Sequence, residues 1–202
     1  GVVVSIVVSM VVTHFVKFDN VEIETILNSK ENFENAVNKG YDNLKSEHIS
    51  AWDKVWEKSD VVIEGDEEAQ FALRYSIYHL CSIAPHNNDI CGIPARGLSG
   101  QVYKGAAFWD TEMFMLPFFQ FSDTVAARNL LNYRVNTLGG AKRKAEEFGH
   151  EGAFFAWESQ ETGDDACTLF NVNDIFTGRS LRTYFKDCQI HVSADVVYGL
   201  WE

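Results

Sequence analysis

Apolar residues recur at steps of three or four along residues 29–58, which is the spacing of an amphipathic helix face. Gly40 interrupts this stripe, so the pattern predicts two helices or one kinked helix. The stripe consists of Ala36, Val37, Tyr41, Leu44, His48, Ala51, Trp52, Val55 and Trp56. Residues 1–18 are instead dense in Val and Ile and are interrupted by small hydroxyl residues, which favours a strand.

Two helices further along the chain are predicted from their capping residues. Asp66 and the acids that follow it suit a helix N-terminus and predict a helix over residues 67–83, which ends before Pro85. Ser122 or Asp123 can cap the next helix in the same way. The apolar face of this next helix consists of Leu130, Tyr133, Thr137, Ala141, Ala145 and Phe148.

The remaining sequence predicts one more helix and two long loops. Gly139 and Gly140 weaken the centre of the preceding helix, by about 1 kcal/mol for each Gly relative to Ala. A final helix begins near His191. Turn-forming residues are frequent in 85–108 and 149–174, and strands do not alternate regularly with helices. The chain is therefore predicted to be mainly α.

Composition and charge narrow the class of protein. The 202 residues include 29 Asp and Glu against 17 Lys and Arg, a formal net charge of -12, and such a field repels nucleic acid and anionic membranes. The 15 Phe, 7 Tyr and 5 Trp favour a cleft for ring-shaped ligands such as sugars. The cysteines show neither metal-ligand nor disulfide-framework spacing, so we expect reduced, mostly buried thiols in a cytoplasmic protein that holds no metal.

Two Trp–acid pairs are the strongest candidates for chemistry. Trp109 and Asp110 lie in the segment FWDTE, and Trp157 and Glu158 lie in the segment AWESQETGDD. An indole can stack on the C–H face of a sugar while an adjacent carboxylate accepts hydrogen bonds from its hydroxyls. In the alternative interpretation Trp109 belongs to the core and Asp110 caps a helix. The acids that follow the second pair are more typical of a solvated acidic loop, and they are Glu161, Asp164 and Asp165.

Other polar side chains give weaker signals. Glu112, Glu158 and Glu161 are candidates for the general acid of glycoside cleavage, and nothing in the sequence ranks them. The motifs G-x-x-x-x-G-K-[ST], G-x-G-x-x-G, G-x-S-x-G and H-E-x-x-H do not occur, which argues against nucleotide-binding proteins, serine hydrolases and zincins. Five side chains could bind an anion, although each is more often a surface charge or a core group: Arg96, Lys104, His150, Arg182 and His191.

Four blocks of sequence resemble glycoside hydrolase family 65, the group of maltose, kojibiose, nigerose and trehalose phosphorylases. The blocks are HISAWDKVWEKSDVVIEGDEEAQFALRYSIYHL, IPARGLSGQVYKGAAFWDTEMFMLPFF, NLLNYRVNTLGGAKRKA and GAFFAWESQETG. The resemblance implies an (α/α)6-barrel catalytic domain that follows linker helices and an N-terminal β-sandwich. We therefore expect residues 1–26 to end the sandwich, residues 27–65 to form the linker and residues 66–202 to form the first half of the barrel, in a central fragment of a longer protein.

The resemblance also implies an activity, the inverting phosphorolysis of an α-linked glucosyl disaccharide to β-glucose 1-phosphate. The positions that match residues holding the glucosyl unit in this family are Trp109, Asp110, Trp157 and Glu158. No block resembles the general-acid segment G-P-D-E-Y-H of the family, so the general acid and the phosphate site are expected beyond Glu202. The chain alone is then expected to be inactive, with no catalytic residue of its own. Phosphate is a co-substrate, no cofactor is expected, and the longer protein is expected to be a homodimer.

Two alternatives remain open at this stage. A branch of the same family hydrolyses trehalose, so a trehalase-like hydrolase is the nearest enzymatic alternative. The chain could also be a noncatalytic helical module that binds carbohydrate or packs against partner helices. Within the resembling blocks, Ala106 and Ala107 stand where many members carry a His, and this change could alter the preference for the acceptor sugar.

Overall fold

The computed structural model describes residues 21–97 and 102–202. The chain divides into two compact units between Glu57 and Lys58. The strand expected in residues 1–18, and with it most of the expected sandwich segment, lies outside the described residues. The described part of the chain is mainly helical, as the hydrophobic pattern predicts.

The first unit contains helix α1, Val21–Lys39, and most of helix α2, Tyr41–Ser59. Gly40 separates the two helices with a φ of +77°, a left-handed conformation that glycine adopts at low steric cost. This confirms the predicted break, although α1 begins earlier than residue 29. On α2 the indole rings of Trp52 and Trp56 lie 5.8 Å apart.

Helix α3, Glu67–Ile83, opens the second unit with the ends that its sequence predicts. The backbone N–H of Ala69 donates a hydrogen bond of 2.9 Å to the Asp66 carboxylate, and two acidic residues occupy the first turn. At the other end Ala84 is extended, the conformation favoured in a residue that precedes proline. Both predicted boundaries are confirmed.

After the long loop the chain passes through a π-helical turn, Thr111–Met115, into helix α4, Leu116–Ser122. Single π-helical turns are rare in proteins, and those that occur often lie at functional sites. Helix α5, Thr124–Asn136, follows Asp123, whose carboxylate accepts hydrogen bonds from two backbone N–H groups of the first turn. Asp123 is therefore the cap of this helix.

The single helix predicted after Asp123 is two helices, α5 and α6, the second spanning Leu138–Glu147. The break lies at Thr137, whose hydroxyl donates to the carbonyl of Tyr133 at 2.7 Å. Bonds of this kind from Thr to a preceding carbonyl often bend helices. The prediction of one continuous helix is wrong because the apolar periodicity continues across the break.

Beyond α6 the chain forms a short hairpin and two more helices. Strand β1, Val172–Asn173, pairs antiparallel with strand β2, Ser180–Leu181, with the first residue of β1 opposite the last residue of β2. The single-turn helix α7, Phe185–Cys188, precedes helix α8, His191–Trp201. The start of α8 confirms the predicted start near His191, whereas the hairpin was not predicted.

Two hydrophobic clusters form the core of the second unit. The first packs α4 against α5 and against Ile93 of the long loop. The second packs α6 against α8 and against residues 153–157. Trp109 and Trp157 border the second cluster, which therefore supports both Trp–acid pairs.

All four cysteines are free thiols, as expected, but only Cys167 is buried, while Cys91 and Cys188 are exposed. The prediction of mostly buried thiols is wrong because it relied on apolar neighbours in sequence, and one of these, Ile90, is itself 64 % exposed. Helices within the two described ranges are too short or too polar to cross a lipid bilayer.

Candidate carbohydrate-binding site

A short backbone pairing brings the two Trp–acid segments together. The N–H of Ala107 donates to the carbonyl of Ser159, and the N–H of Ser159 donates to the carbonyl of Ala107, both at 2.9 Å. In an antiparallel pair, the residue two positions after one partner corresponds to the residue two positions before the other. This register directs Trp109 and Trp157 to the same end of the pairing.

Small side chains allow the backbone to pack this closely. A Cβ atom on Gly92 would lie 2.6 Å from the Cβ atom of Ala107 and 3.1 Å from the ring of Tyr133. Tyr133 also shares a hydrogen bond of 2.7 Å with the hydroxyl of Ser159, and burial raises the pKa of this tyrosine. Ala106 and Ala107 are both buried, so the departure from the family pattern lies beneath the surface. Its effect on acceptor preference stays a prediction.

His191, the first residue of α8, contacts both tryptophans. Its ring centroid lies 5.0 Å from that of Trp109 and 6.2 Å from that of Trp157, with the ring planes at 85° and 80°. Its Nδ1 atom lies 2.7 Å from the carboxylate of Asp195, and its Nε2 atom lies 3.0 Å from the amide oxygen of Gln189. Both ring nitrogens are therefore engaged, and the imidazole holds two indoles rather than offering a free nitrogen to an anion.

Asp110 carries a carboxylate without a hydrogen-bond partner among the described residues. The residue precedes the π-helical turn, but its side chain makes no capping hydrogen bond. In the described ranges its carboxylate has no hydrogen-bond donor, and the residue is partly exposed. The alternative in which Asp110 caps a helix through its side chain is therefore not realised. Trp109 borders the second core cluster and is also partly exposed, so it combines core packing with access to the surface.

A fully buried ion pair anchors the first Trp–acid segment. Arg134 donates through Nε and Nη2 to the two carboxylate oxygens of Glu112, at 2.7 and 3.0 Å, and through Nη2 to the carbonyl of Phe108 at 2.9 Å. Burial disfavours the charge of Arg134, but the Glu112 carboxylate outweighs burial and holds the pKa of Arg134 above its usual value. Glu112 is therefore committed to Arg134, which removes it from the candidates for a general acid.

A second buried ion pair anchors the other Trp–acid segment. The Nζ atom of Lys144, on α6, donates to the carboxylate of Asp165 at 2.7 Å, and the two side chains are only 3 % and 2 % exposed. The same carboxylate accepts hydrogen bonds of 3.0 Å from the backbone N–H groups of Trp157, Glu158 and Cys167. One carboxylate thus fixes the backbone of the segment that carries the second pair.

The acidic loop is only partly solvated. Asp164 pairs with Arg143 at 2.6 Å on the surface, and Glu161 is exposed, as predicted. The prediction is wrong for Asp165, because the cation of Lys144 compensates for the burial of its charge. Lys144 lies 21 positions away in sequence, so inspection of the loop alone does not reveal the pairing.

Two glycines bring this loop against the junction of α5 and α6. A Cβ atom on Gly140 would lie 2.2 Å from the backbone carbon of Gly163, and a Cβ atom on Gly163 would lie 2.2 Å from the carbonyl oxygen of Thr137. Gly163 also has a φ of +77°. Gly140 therefore lies at the position of α6 where the backbone of the loop packs directly against the helix.

Of the five cationic or imidazole side chains singled out from sequence, Lys104 and His191 reach the site. The Nζ atom of Lys104 donates to Oε2 of Glu158 at 2.8 Å. The other three make different contacts: Arg96 lies over the ring of Tyr103, Arg182 pairs with Asp187, and His150 is exposed. Within the described residues, no three His, Cys, Asp or Glu side chains are grouped as metal ligands.

This arrangement, with two indoles, two carboxylates and a histidine held on buried ion pairs in a helical domain, suits the binding of a pyranose ring. Residues 74–202 match the family described as the glycosyl hydrolase family 65 central catalytic domain. The match covers more than half of the chain, and the chain belongs to this family.

Two of the relatives to which this chain is similar are disaccharide phosphorylases. The chain is 57% identical over 165 residues to the nigerose phosphorylase of Lachnoclostridium phytofermentans, covering 82% of this chain and 22% of that protein. It is 41% identical over 179 residues to the kojibiose phosphorylase of Halothermothrix orenii, covering 89% and 23%. These findings confirm the phosphorylase group that the sequence resembles.

A solved structure supports the same fold. The solved protein comes from the human microbiome and is provisionally assigned as a kojibiose phosphorylase. It matches this chain with a TM-score of 0.76 and 27% sequence identity. The match covers 88% of this chain and 22% of the solved chain. This chain therefore spans about a fifth of the length of the relatives and of the solved protein that it matches.

Proposed function

We propose that this chain binds the glucosyl unit of an α-linked disaccharide, as part of an inverting glycoside phosphorylase. The proposal is carried by one observation, the contact of both tryptophans, Trp109 and Trp157, with a single histidine in a domain of this family. The binding residues are Trp109, Asp110, Trp157 and Glu158. As part of the same proposal, residues 66–202 form the first half of the catalytic barrel, and residues 27–65 link it to a β-sandwich that ends within residues 1–26.

The chemistry of these side chains fits a neutral sugar. An indole offers apolar surface to the C–H groups of a sugar ring, while a carboxylate accepts hydrogen bonds from its hydroxyls. In this chain the Trp157 indole is itself stacked on Phe185, with ring centroids 5.4 Å apart. The buried ion pairs Arg134–Glu112 and Lys144–Asp165 hold the two segments before the ligand arrives. Such preorganisation lowers the entropy that is lost when the ligand binds.

In the proposed reaction, an oxygen of inorganic phosphate attacks the anomeric carbon on the face opposite the acceptor sugar. The bond between the anomeric carbon and the acceptor oxygen breaks, and the acceptor oxygen takes a proton from a general acid. Because phosphate is the nucleophile, a carboxylate base is dispensable. We assign the general acid and the phosphate site to residues beyond Glu202 of a longer protein, so the chain by itself should not catalyse the reaction.

Compartment and assembly follow from the proposed reaction and from the family resemblance. A sugar phosphate keeps the energy of the broken bond in a form that is useful only inside a cell, so we place the enzyme in the cytoplasm. A homodimer is the expected assembly, and the reaction as proposed uses neither a metal nor an organic cofactor.

The binding proposal is tested by titration calorimetry of the chain with glucose and with maltose. Asp110→Ala should weaken glucose binding by about tenfold or more, because a charge-assisted hydrogen bond is lost. Glu161→Ala is the matched control, since this acid is exposed and lies in the loop of the second pair. Equal affinities of the Asp110→Ala variant and the parent chain would contradict the assignment of Asp110.

The reaction itself is tested on the longest open reading frame that contains this chain. Maltose, kojibiose, nigerose and trehalose are incubated with and without inorganic phosphate, and glucose and β-glucose 1-phosphate are measured. We expect β-glucose 1-phosphate to form only with phosphate, and the 202-residue chain to form none. Glucose release that does not depend on phosphate would favour the trehalase-like alternative, and no turnover of any substrate would favour a noncatalytic module.

A further inference from the structure

Lys104 holds the only carboxylate oxygen of Glu158 that is bonded within the described residues. Its Nζ atom donates to Oε2 at 2.8 Å and to the carbonyl of Ala166 at 3.1 Å. Ala166 is fixed in turn, because its N–H donates to the carbonyl of Glu158 at 3.0 Å. The lysine side chain is 56 % exposed, whereas the Glu158 side chain is 10 % exposed. A largely buried carboxylate is therefore paired with an ammonium group that solvent can reach.

The backbone at Lys104 is strained. Tyr103 and Lys104 both have left-handed conformations, with φ values of 66° and 57°. For a non-glycine residue this conformation is sterically unfavourable, and such residues cluster at binding and catalytic sites. The surrounding structure therefore holds Tyr103 and Lys104 in a conformation that their backbones would not otherwise favour.

Lys104 has an unused hydrogen-bond donor and Glu158 has an unused acceptor. An ammonium group has three N–H donors, of which two are used by Glu158 and Ala166. A carboxylate has two oxygens, and among the described residues Oε1 of Glu158 has no donor. Within the described residues the pair therefore has one N–H donor and one acceptor oxygen without a partner. Neighbouring equatorial hydroxyls of a pyranose present the matching acceptor and donor about one hydrogen-bond length apart.

We propose that Lys104 is a specificity-determining residue that acts with Glu158 to bind two neighbouring hydroxyls of the sugar. Oε1 of Glu158 accepts a hydrogen bond from one hydroxyl, and Nζ of Lys104 donates to the oxygen of the next. The ion pair leaves this part of the site without net charge, which suits a neutral sugar. Because the geometry of both groups is fixed, an epimer that turns one of these hydroxyls to the axial position would lose a hydrogen bond. This inference rests on the proposed binding of a glucosyl unit.

The test compares glucose with its 2-, 3-, 4- and 6-deoxy analogues in titration calorimetry. The proteins are the parent chain, Lys104→Met, Lys104→Arg and the control Lys39→Met, each also prepared in the longest open reading frame that contains the chain. Lys39 forms a comparable pair with Glu47, at 2.7 Å, in the first unit. Lys104 is exposed, so its variants should fold, and circular dichroism checks this.

We expect Lys104→Met to weaken glucose binding by about 10- to 100-fold, with partial recovery in Lys104→Arg and no change in Lys39→Met. One deoxy analogue should bind the parent protein weakly and bind Lys104→Met no more weakly than glucose does, because the hydroxyl and its donor have both been removed. A purely structural role for Lys104 would weaken all five sugars by the same factor. That outcome would overturn the proposal.

The two proposals fail in different ways. If neither form of the parent protein binds glucose, the proposed function is wrong and this inference is wrong with it. A second outcome is that the parent protein binds glucose while every deoxy analogue loses the same affinity, relative to glucose, in the parent protein and in Lys104→Met. In that case only the role of Lys104 is overturned.

Discussion

Asp165 is the residue on which the second Trp–acid segment depends most. Its carboxylate accepts hydrogen bonds from three backbone N–H groups and balances the charge of the buried Lys144. Asp165→Asn removes the negative charge and leaves the ammonium group of Lys144 buried without a counter-ion. We expect the free energy of unfolding to fall by about 3–5 kcal/mol, measured by urea denaturation.

Asp164→Asn is the matched control for Asp165→Asn. Asp164 also pairs with a cation of α6, Arg143, but the two side chains are 53 % and 57 % exposed. Exposed pairs contribute little, so this change should cost less than about 1 kcal/mol. The double variant Lys144→Met with Asp165→Asn should recover part of the loss, since the unpaired charge is gone. Equal losses of unfolding free energy in Asp165→Asn and Asp164→Asn would show that the buried pair stabilises the protein no more than the exposed pair does.

Single residues also show which parts of the site can be predicted from sequence. The two members of each Trp–acid pair are adjacent in sequence and together are typical of sugar binding, so the sequence alone predicts both pairs as candidates. The partners Arg134 and Lys144 lie 22 and 21 positions from their carboxylates. Arg134 stands alone within a helical pattern and Lys144 ends a run of three basic residues, and for both a solvated position is the ordinary expectation. Only the packing of distant segments shows that these cations are buried.

At the level of elements, the contact between α6 and the second loop depends on one glycine of a pair. A Cβ atom on Gly140 would meet the backbone of Gly163 at 2.2 Å, a distance that no side-chain adjustment relieves. A Cβ atom on Gly139 would meet only the end of the flexible Arg143 side chain, at 3.5 Å. Packing therefore requires glycine at position 140 but not at position 139.

Substituting the two glycines separately tests this difference. Gly140→Ala should lower the free energy of unfolding by about 1–3 kcal/mol, because the loop must move away from the helix. Gly139→Ala should instead raise it by up to about 1 kcal/mol, because alanine favours the helix. Urea denaturation measures both changes. A Gly140→Ala variant as stable as the Gly139→Ala variant would mean that the loop does not rest on α6 as described.

The same elements show why some boundaries were predictable and others were not. Asp66 and Asp123 cap their helices through bonds to nearby backbone N–H groups, so the signal is local and visible in sequence. The break at Thr137 leaves the apolar periodicity intact and was missed. The hairpin was missed too, because strands of two residues are too short to show an alternating pattern.

For the molecule as a whole, the division between Glu57 and Lys58 predicts which part of the chain is sufficient to form the site. Every contact described around the two Trp–acid pairs involves residues of the second unit, from Gly92 to Asp195. A chain that begins at Lys58 should therefore keep the site. The backbone N–H groups of Trp157 and Glu158 report on it directly, because their exchange with solvent requires release from Asp165.

We expect these two amides to exchange with deuterium at the same rates in the shortened chain as in the full chain, measured by NMR or by mass spectrometry of peptides. The Asp165→Asn variant of the shortened chain provides the contrast, since both amides should then exchange faster. The measurement needs no sugar, so it tests the architecture of the site independently of its proposed ligand. Faster exchange in the shortened chain alone would mean that the first unit stabilises the site, and the site could not then be assigned to the second unit.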